Sequence, residues 1–136
     1  MKQLGYVACG LLLSVMAFAQ KTKSFQASPG AVMEEIFRAA KQSDYSNLPL
    51  LCPPDASNDG DTRWICEIAN ARENDQVEFA SYFSQGYLNG DIRYSAEEGR
   101  SFAIVPFWFN HPSGGDRCKE EMRMVKIGEK WYLISF

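Results

Sequence analysis

The chain has 136 residues, of which 46% are hydrophobic, 13% aromatic and 23% charged. This balance is typical of one globular domain and not of a disordered or fibrous protein. The net charge of -3 disfavours nucleic-acid binding, which requires a basic face. One histidine and four cysteines leave few ligands for a metal site, and the sequence holds no Gly-rich phosphate loop, nucleophile elbow or zinc-binding helix motif. We therefore predict no metal site and no cofactor.

Residues 1–19 have the layout of a secretory signal peptide. Lys2 gives a positive start, residues 4–18 are almost entirely apolar, and Ala17-Phe18-Ala19 is the small-x-small pattern that precedes cleavage. The apolar run is short for a membrane span. We predict cleavage after Ala19 and an exported protein, periplasmic or secreted, with no membrane span left after cleavage. An uncleaved anchor, or a lipoprotein processed at Cys9, is the alternative.

Export permits disulfide bonds, and three cysteines follow the predicted cleavage site. Cys52, Cys66 and Cys118 allow three pairings, among which spacing alone does not choose. We favour Cys52–Cys66, because it closes the shortest loop around the polar segment 53–61. Cys118 is then free, buried or bonded to another chain.

The domain proper is predicted to span residues 28–136, after a flexible polar leader at 20–27. Ser28 and Pro29 are suited to the N-cap and the first position of a helix. An apolar face at helical spacing follows, and Glu34 with Arg38 is placed for an i,i+4 ion pair. The apolar face comprises Val32, Met33, Ile36, Phe37 and Ala40.

Two further helices are predicted after a short turn that ends near Leu51. Segment 54–61 is rich in Asp, Asn, Ser and Gly and is predicted to be a loop. Asp61 is suited to cap a second helix over 62–71, and apolar spacing from Val77 onwards predicts a third helix that ends near Gly86.

The second half of the chain has the composition and alternation of β-strands. We predict strands at 92–94, 100–110, 118–127 and 130–136, the last two joined by the two-residue turn Gly128-Glu129. Pro106 requires an edge position or a bulge, because it has no N–H to donate. Helices followed by an antiparallel meander predict the α+β class, with N-terminal helices packed on a curved sheet.

Three segments carry a resemblance to a known family. A leading helix at 31–41 precedes Ser43-Asp44-Tyr45-Ser46-Asn47-Leu48-Pro49-Leu50-Leu51, and after a long apolar strand the chain ends on Lys126-Ile127-Gly128-Glu129-Lys130-Trp131-Tyr132-Leu133-Ile134. This pattern resembles the small exported bacterial domains of the nuclear-transport-factor-two-like superfamily, which share a cone with ketosteroid isomerase and scytalone dehydratase. The resemblance implies a pocket at the open end of the cone. It implies no fixed chemistry, because the superfamily includes enzymes, binding modules and dimerisation domains.

Few residues are candidates for catalysis. The paired-histidine chemistry of the dehydratases is excluded by the single histidine, His111, which falls in a turn pattern typical of exposed loops. A carboxylate base with a tyrosine stays open. Glu120 shares a predicted strand face with two methionines, and burial there would raise its pKa and suit it to act as a general base. A solvated Glu120 near the strand start is the alternative. The acidic residues of 54–61 lack the spacing of a calcium loop.

Aromatic residues are numerous, and strand 100–110 is apolar on both faces. One face must pack on the helices, and the other needs cover from a ligand, a partner chain or the third helix. We predict a non-catalytic domain that binds a small apolar ligand or a protein partner. The predicted ligand-binding residues are Trp64, Tyr87, Trp108, Met122 and Met124. The alternatives are an isomerase or dehydratase-like enzyme that uses Glu120, and a structural homodimer joined through the sheet.

Overall fold

The structure is a computed structural model that describes residues 24–110 and 116–136. The predicted signal peptide, the first part of the leader and the turn that contains His111 lie outside the described residues. Within the described ranges, no helix has the length and apolar character needed to cross a membrane.

In the described part of the N-terminal half, three α-helices are formed. Helix α1 spans Pro29–Gln42, α2 spans Gly60–Glu67 and α3 spans Glu73–Phe83, with 3₁₀ turns at Leu48–Leu51 and Ile68–Asn70. The predicted cap of α1 is confirmed, because the Ala31 amide donates to the Ser28 hydroxyl at 3.1 Å.

The predicted starts of α2 and α3 are wrong by a few residues. Asp59, not Asp61, caps α2, and its carboxylate accepts from the Thr62 amide at 2.9 Å. Helix α3 starts at Glu73, four residues before Val77, with Glu73 and Asp75 in its first turn. Carboxylates stabilise a helix N-terminus through the helix dipole. The spacing of apolar residues gives no sign of such a polar first turn.

Among the described residues that follow the helices, five antiparallel strands form one sheet. They are β1 at Tyr87–Leu88, β2 at Arg93–Glu97, β3 at Arg100–Asn110, β4 at Arg117–Ile127 and β5 at Lys130–Ser135. The sheet order is β1-β3-β4-β5, and β2 pairs with the same edge of β3 as β1 does. The chain is therefore of the predicted α+β class, with helices N-terminal to an open antiparallel sheet.

Pro106 lies where β3 changes its partner. Strand β2 pairs with residues 100–104 of β3, and β1 pairs with 107 and 108. The Pro106 carbonyl accepts from the Asn89 amide at 3.0 Å. In an antiparallel pair, the N–H and C=O of one residue face the same neighbour, so the missing donor of Pro106 faces the gap between β1 and β2.

A bulge changes the side-chain alternation of β5. Arg123 pairs with Ser135 but Met124 pairs with Leu133, so that Ile134 is the extra residue. Strict alternation along β5 would place Phe136 on the face of the sheet opposite to that of Leu133, yet the Phe136 ring packs 6.0 Å from the ring of Phe107, on the helix side of the sheet. The freed Ile134 carbonyl accepts from the Asp59 amide at 2.8 Å and ties β5 to α2.

The core lies between the helices and one face of the sheet. Phe37 of α1 and Phe83 of α3 each pack on Phe107 of β3, with ring centroids 6.3 and 6.4 Å apart. We call this the inner face of the sheet and the opposite one the outer face. The largest fully buried side chains are Met33, Ile36, Phe37, Leu48, Leu51, Ile65, Ile68, Phe79, Phe83, Phe107, Met122 and Met124.

Two polar contacts differ from what the sequence predicts. Gln26, in the predicted flexible leader, is buried and donates from its side chain to the carbonyls of Leu50 and Trp131. Residues 24–27 are therefore part of the domain. Arg38 pairs with the buried Glu35 at 2.5 Å, and not with Glu34 as predicted. Because the Arg38 guanidinium donates to Glu35, the pKa of this carboxyl is lowered despite its burial.

Candidate functional site

A cleft of about 380 Å³ opens between α2, α3 and the inner face of the sheet. We call it the aromatic cleft, because five of its nine lining residues are aromatic. The lining residues are Asp61, Trp64, Glu78, Tyr82, Phe83, Phe109, Cys118, Glu120 and Phe136. Its volume is in the range of pockets that hold small molecules.

The aromatic walls come from both the helices and the sheet. Trp64 of α2 packs on Tyr82 of α3 with ring centroids 5.8 Å apart. Phe83 stacks on Phe109 of β3 at 6.0 Å, and Phe136 meets Phe109 edge-on at 6.4 Å. Such offset and edge-on pairs are favourable arrangements for aromatic rings. The walls are therefore held by ring packing that continues into the core.

Carboxylates stand among these rings on three elements, with Asp61 on α2, Glu78 on α3 and Glu120 on β4. The Tyr82 hydroxyl donates to the Glu78 carboxylate at 2.5 Å. The pKa of Tyr82 is raised to about 12, mainly because burial disfavours the charged phenolate and also because the hydroxyl donates to Glu78. The Tyr82 hydroxyl is therefore protonated at physiological pH, and its one hydrogen-bond donor is used by Glu78.

Of the predicted site residues, Trp64 and Glu120 line the cleft. Met122 and Met124 lie on the same face of β4 as Glu120, but both are fully buried in the core. The two methionines and Glu120 therefore share one face as predicted, and the methionine side chains have no exposed surface in this structure. The helices cover the methionines, and only Glu120, nearer the strand start, is left exposed.

Tyr87 and Trp108 lie on the outer face, away from the cleft. They pair directly across β1 and β3, and Trp108 alternates with the buried Phe107. Val105 is the residue of β3 that pairs with Met122. Trp108 and Met122 therefore project from opposite faces, and the five predicted ligand-binding residues do not form one site.

Charged side chains extend across the outer face. Arg123 lies over the ring of Phe102 at 4.6 Å and pairs with Glu97 at 3.1 Å. Arg117 lies over the ring of Tyr87 at 5.5 Å and donates to its hydroxyl. Long charged side chains commonly cover apolar surface in this way. The third helix does not lie on this face, since its Phe83 packs on the inner one.

Most lining residues of the cleft were not among the predicted site residues. Tyr82 and Phe83 lie at the end of α3, where apolar spacing indicated only core packing. Phe109 shares the face of Phe107, which the alternation of β3 did indicate. Alternation along β5 would put Phe136 on the outer face, because the bulge at Ile134 has no signal in the sequence.

The Cys52–Cys66 disulfide and the acidic loop have structural roles, whereas Cys118 is not bonded. The Cys52–Cys66 disulfide is formed as predicted, and it joins the first 3₁₀ turn to the last turn of α2. Cys118 is a free thiol of intermediate exposure and lines the aromatic cleft. Within the loop, the Ser57 hydroxyl donates a hydrogen bond to the Asp55 carboxylate, which lowers the pKa of Asp55. Across the described ranges, no three His, Cys, Asp or Glu side chains are grouped to hold a metal ion.

Comparison of the chain with protein-family models, with curated proteins and with solved structures gave no match. Membership of the nuclear-transport-factor-two-like superfamily therefore stays a prediction from the sequence. Evidence about function comes from the geometry of the aromatic cleft.

Proposed function

We propose that this chain is an exported, non-catalytic binding domain whose aromatic cleft holds a small ligand with an apolar body. The observation that carries the proposal is the cleft itself, in which five aromatic side chains surround about 380 Å³. Sites for small molecules are typically concave and mainly apolar, with a few polar groups that orient the ligand. The carboxylates and the Cys118 thiol are such groups here.

The geometry supports binding more than catalysis. An isomerase of the ketosteroid type needs a carboxylate base together with a hydroxyl that is free to stabilise the oxyanion. The Tyr82 hydroxyl already donates to Glu78, and Glu120 is exposed to solvent. Among the described lining residues, the enzymatic alternative therefore has no free hydroxyl to stabilise the oxyanion.

Export and superfamily membership are parts of the same proposal. A disulfide is typical of proteins in oxidising compartments, and Cys52–Cys66 supports export in this sense. Helices that precede and pack on an open antiparallel sheet support membership of the nuclear-transport-factor-two-like superfamily. A carrier in the periplasm or outside the cell is the role that follows.

Native mass spectrometry of the protein purified from its natural compartment tests the proposal. We expect an additional mass that is released on denaturation. It should decrease in Trp64→Ala, whose ring lines the cleft, and persist in the matched variant Trp108→Ala on the outer face. An additional mass that is lost in Trp108→Ala and kept in Trp64→Ala would contradict the proposal. A spectrum of two copies with no other mass would favour the homodimer.

A further inference from the structure

We infer that the ligand of the aromatic cleft is an organic cation, an ammonium group attached to an apolar body. This inference rests on the proposed function and specifies the ligand class. It follows from the charge of the lining residues together with the chemistry of the aromatic walls.

The charged residues that line the cleft within the described ranges are all acidic. Asp61, Glu78 and Glu120 line it, and none of the lining residues in the part of the chain that the structure describes is lysine, arginine or histidine. Like charges in a shared cleft repel one another, and a bound cation relieves that repulsion. An anionic ligand would meet only repulsion from the described lining.

The walls of the cleft also favour a cation. Aromatic faces attract ammonium groups through their quadrupole, and this attraction is strongest where water is excluded. The rings that line the cleft lie at different orientations. The pair of Trp64 and Tyr82 is tilted, whereas Phe109 is stacked on one neighbouring ring and edge-on to another. Such an arrangement surrounds a rounded cationic group better than a flat surface does.

The spacing of the carboxylates favours an organic cation over a metal ion. They come from three different elements, and no three acidic side chains within the described ranges are close enough together to hold a metal. A bare divalent ion needs several oxygens at short distances. An organic ammonium group spreads its charge over a larger surface, and it brings the apolar body that the rings accommodate.

Cys118 provides a direct test, because its thiol lines the cleft and is free to react. The rate of its alkylation would be measured by mass spectrometry of the Cys118 peptide. The three probes are benzyltrimethylammonium, its neutral isostere neopentylbenzene and the anion phenylacetate. We expect the cation to slow alkylation at concentrations about tenfold lower than the neutral isostere, and the anion to have no effect.

Two adjacent glutamates give a matched pair of variants. Glu120→Gln removes a cleft carboxylate, whereas Glu121→Gln removes the same charge from the outer face, where Glu121 pairs with Arg93. We expect Glu120→Gln to weaken protection by the cation about fivefold and to leave protection by neopentylbenzene unchanged. Glu121→Gln should leave both unchanged.

The outcomes separate this inference from the proposed function. Equal protection by the cation and the neutral isostere would refute a cationic ligand, but it would still support a cleft that binds apolar molecules. Equal weakening in Glu120→Gln and Glu121→Gln would also overturn it, because net charge and not the cleft would then set the affinity. No protection by any probe would count against both proposals.

Discussion

Replacement of Gly86 by alanine should destabilise the fold more than any other single methyl addition at a described glycine. Gly86 lies between α3 and β1, and a Cβ there would stand 2.4 Å from Cε1 and 2.6 Å from Cδ1 of Phe37. It would also be 3.1 Å from the backbone carbonyl oxygen of Trp108. Ordinary contacts of a Cβ begin near 3.4 Å, so the Phe37 ring would have to retreat by about 1 Å in a close-packed core.

The expected loss of stability follows from the close packing around the Phe37 ring. Phe37 is 2% exposed and packs on Phe107, so its displacement disturbs the contact between α1 and β3. Insertion of extra methyl groups into packed cores costs typically 1–3 kcal/mol, and we expect about 3 kcal/mol for Gly86→Ala. Gly86 needs no positive φ, so this loss measures steric crowding and not backbone strain.

Urea denaturation of the variant and of a matched control measures this loss. Gly60→Ala is the control, because a Cβ at Gly60 has no atom within 4 Å, and it should change the free energy of unfolding by less than about 0.5 kcal/mol. Phe37→Leu shortens the crowded ring and should make the double variant more stable than additivity predicts, by about 1 kcal/mol. Equal stabilities of Gly86→Ala and Gly60→Ala would refute the packing of β1 against α1.

Three further predictions concern the disulfide and two titrating groups. Removal of the Cys52–Cys66 bond, which spans a sequence separation of 14, should lower the free energy of unfolding by about 3 kcal/mol in urea, and an unchanged midpoint after reduction would contradict this. The pKa of Glu35 is lowered in the folded state, so its contribution to stability is complete above its unfolded value of 4.5 and is lost as the pH falls through the folded value. Glu35→Gln should therefore reduce the loss of unfolding free energy at acid pH. If the variant lost as much stability at acid pH as the wild type, the pair of Glu35 with Arg38 would not be the source of that loss. The pKa of Tyr82 is raised from 10 to about 12, so stability should fall between these pH values, and Glu78→Gln should move the pKa of Tyr82 back towards 10 in ultraviolet titration of tyrosinate.

The sequence predicted most of what local chemistry decides. Ser28 with Pro29 marks the start of α1, the run of apolar and aromatic residues gives both ends of β3, and the short polar loop indicates the Cys52–Cys66 pairing. Each of these features depends on residues that are near one another in the chain. The α+β class follows from their order.

The site was predicted less well, because it depends on register between distant strands. Val105 and not Trp108 shares a face with Met122, and only the pairing of β3 with β4 decides this. The bulge at Ile134 then moves Phe136 to the inner face. The surplus of aromatic residues therefore favoured a binding surface without indicating which face of the sheet would carry it.

The three tryptophans of the chain allow the most direct test of the binding cleft. Trp64 lines the cleft, Trp108 lies on the outer face, and Trp131 is buried beside Tyr94. Their indole N–H signals can be followed separately in a two-dimensional NMR titration with benzyltrimethylammonium. We predict that the Trp64 signal moves with a saturable dependence on concentration while the other two stay in place. Movement of Trp108 with a stationary Trp64 would contradict a binding site in the aromatic cleft, and no movement of any signal would contradict the binding of an organic cation there.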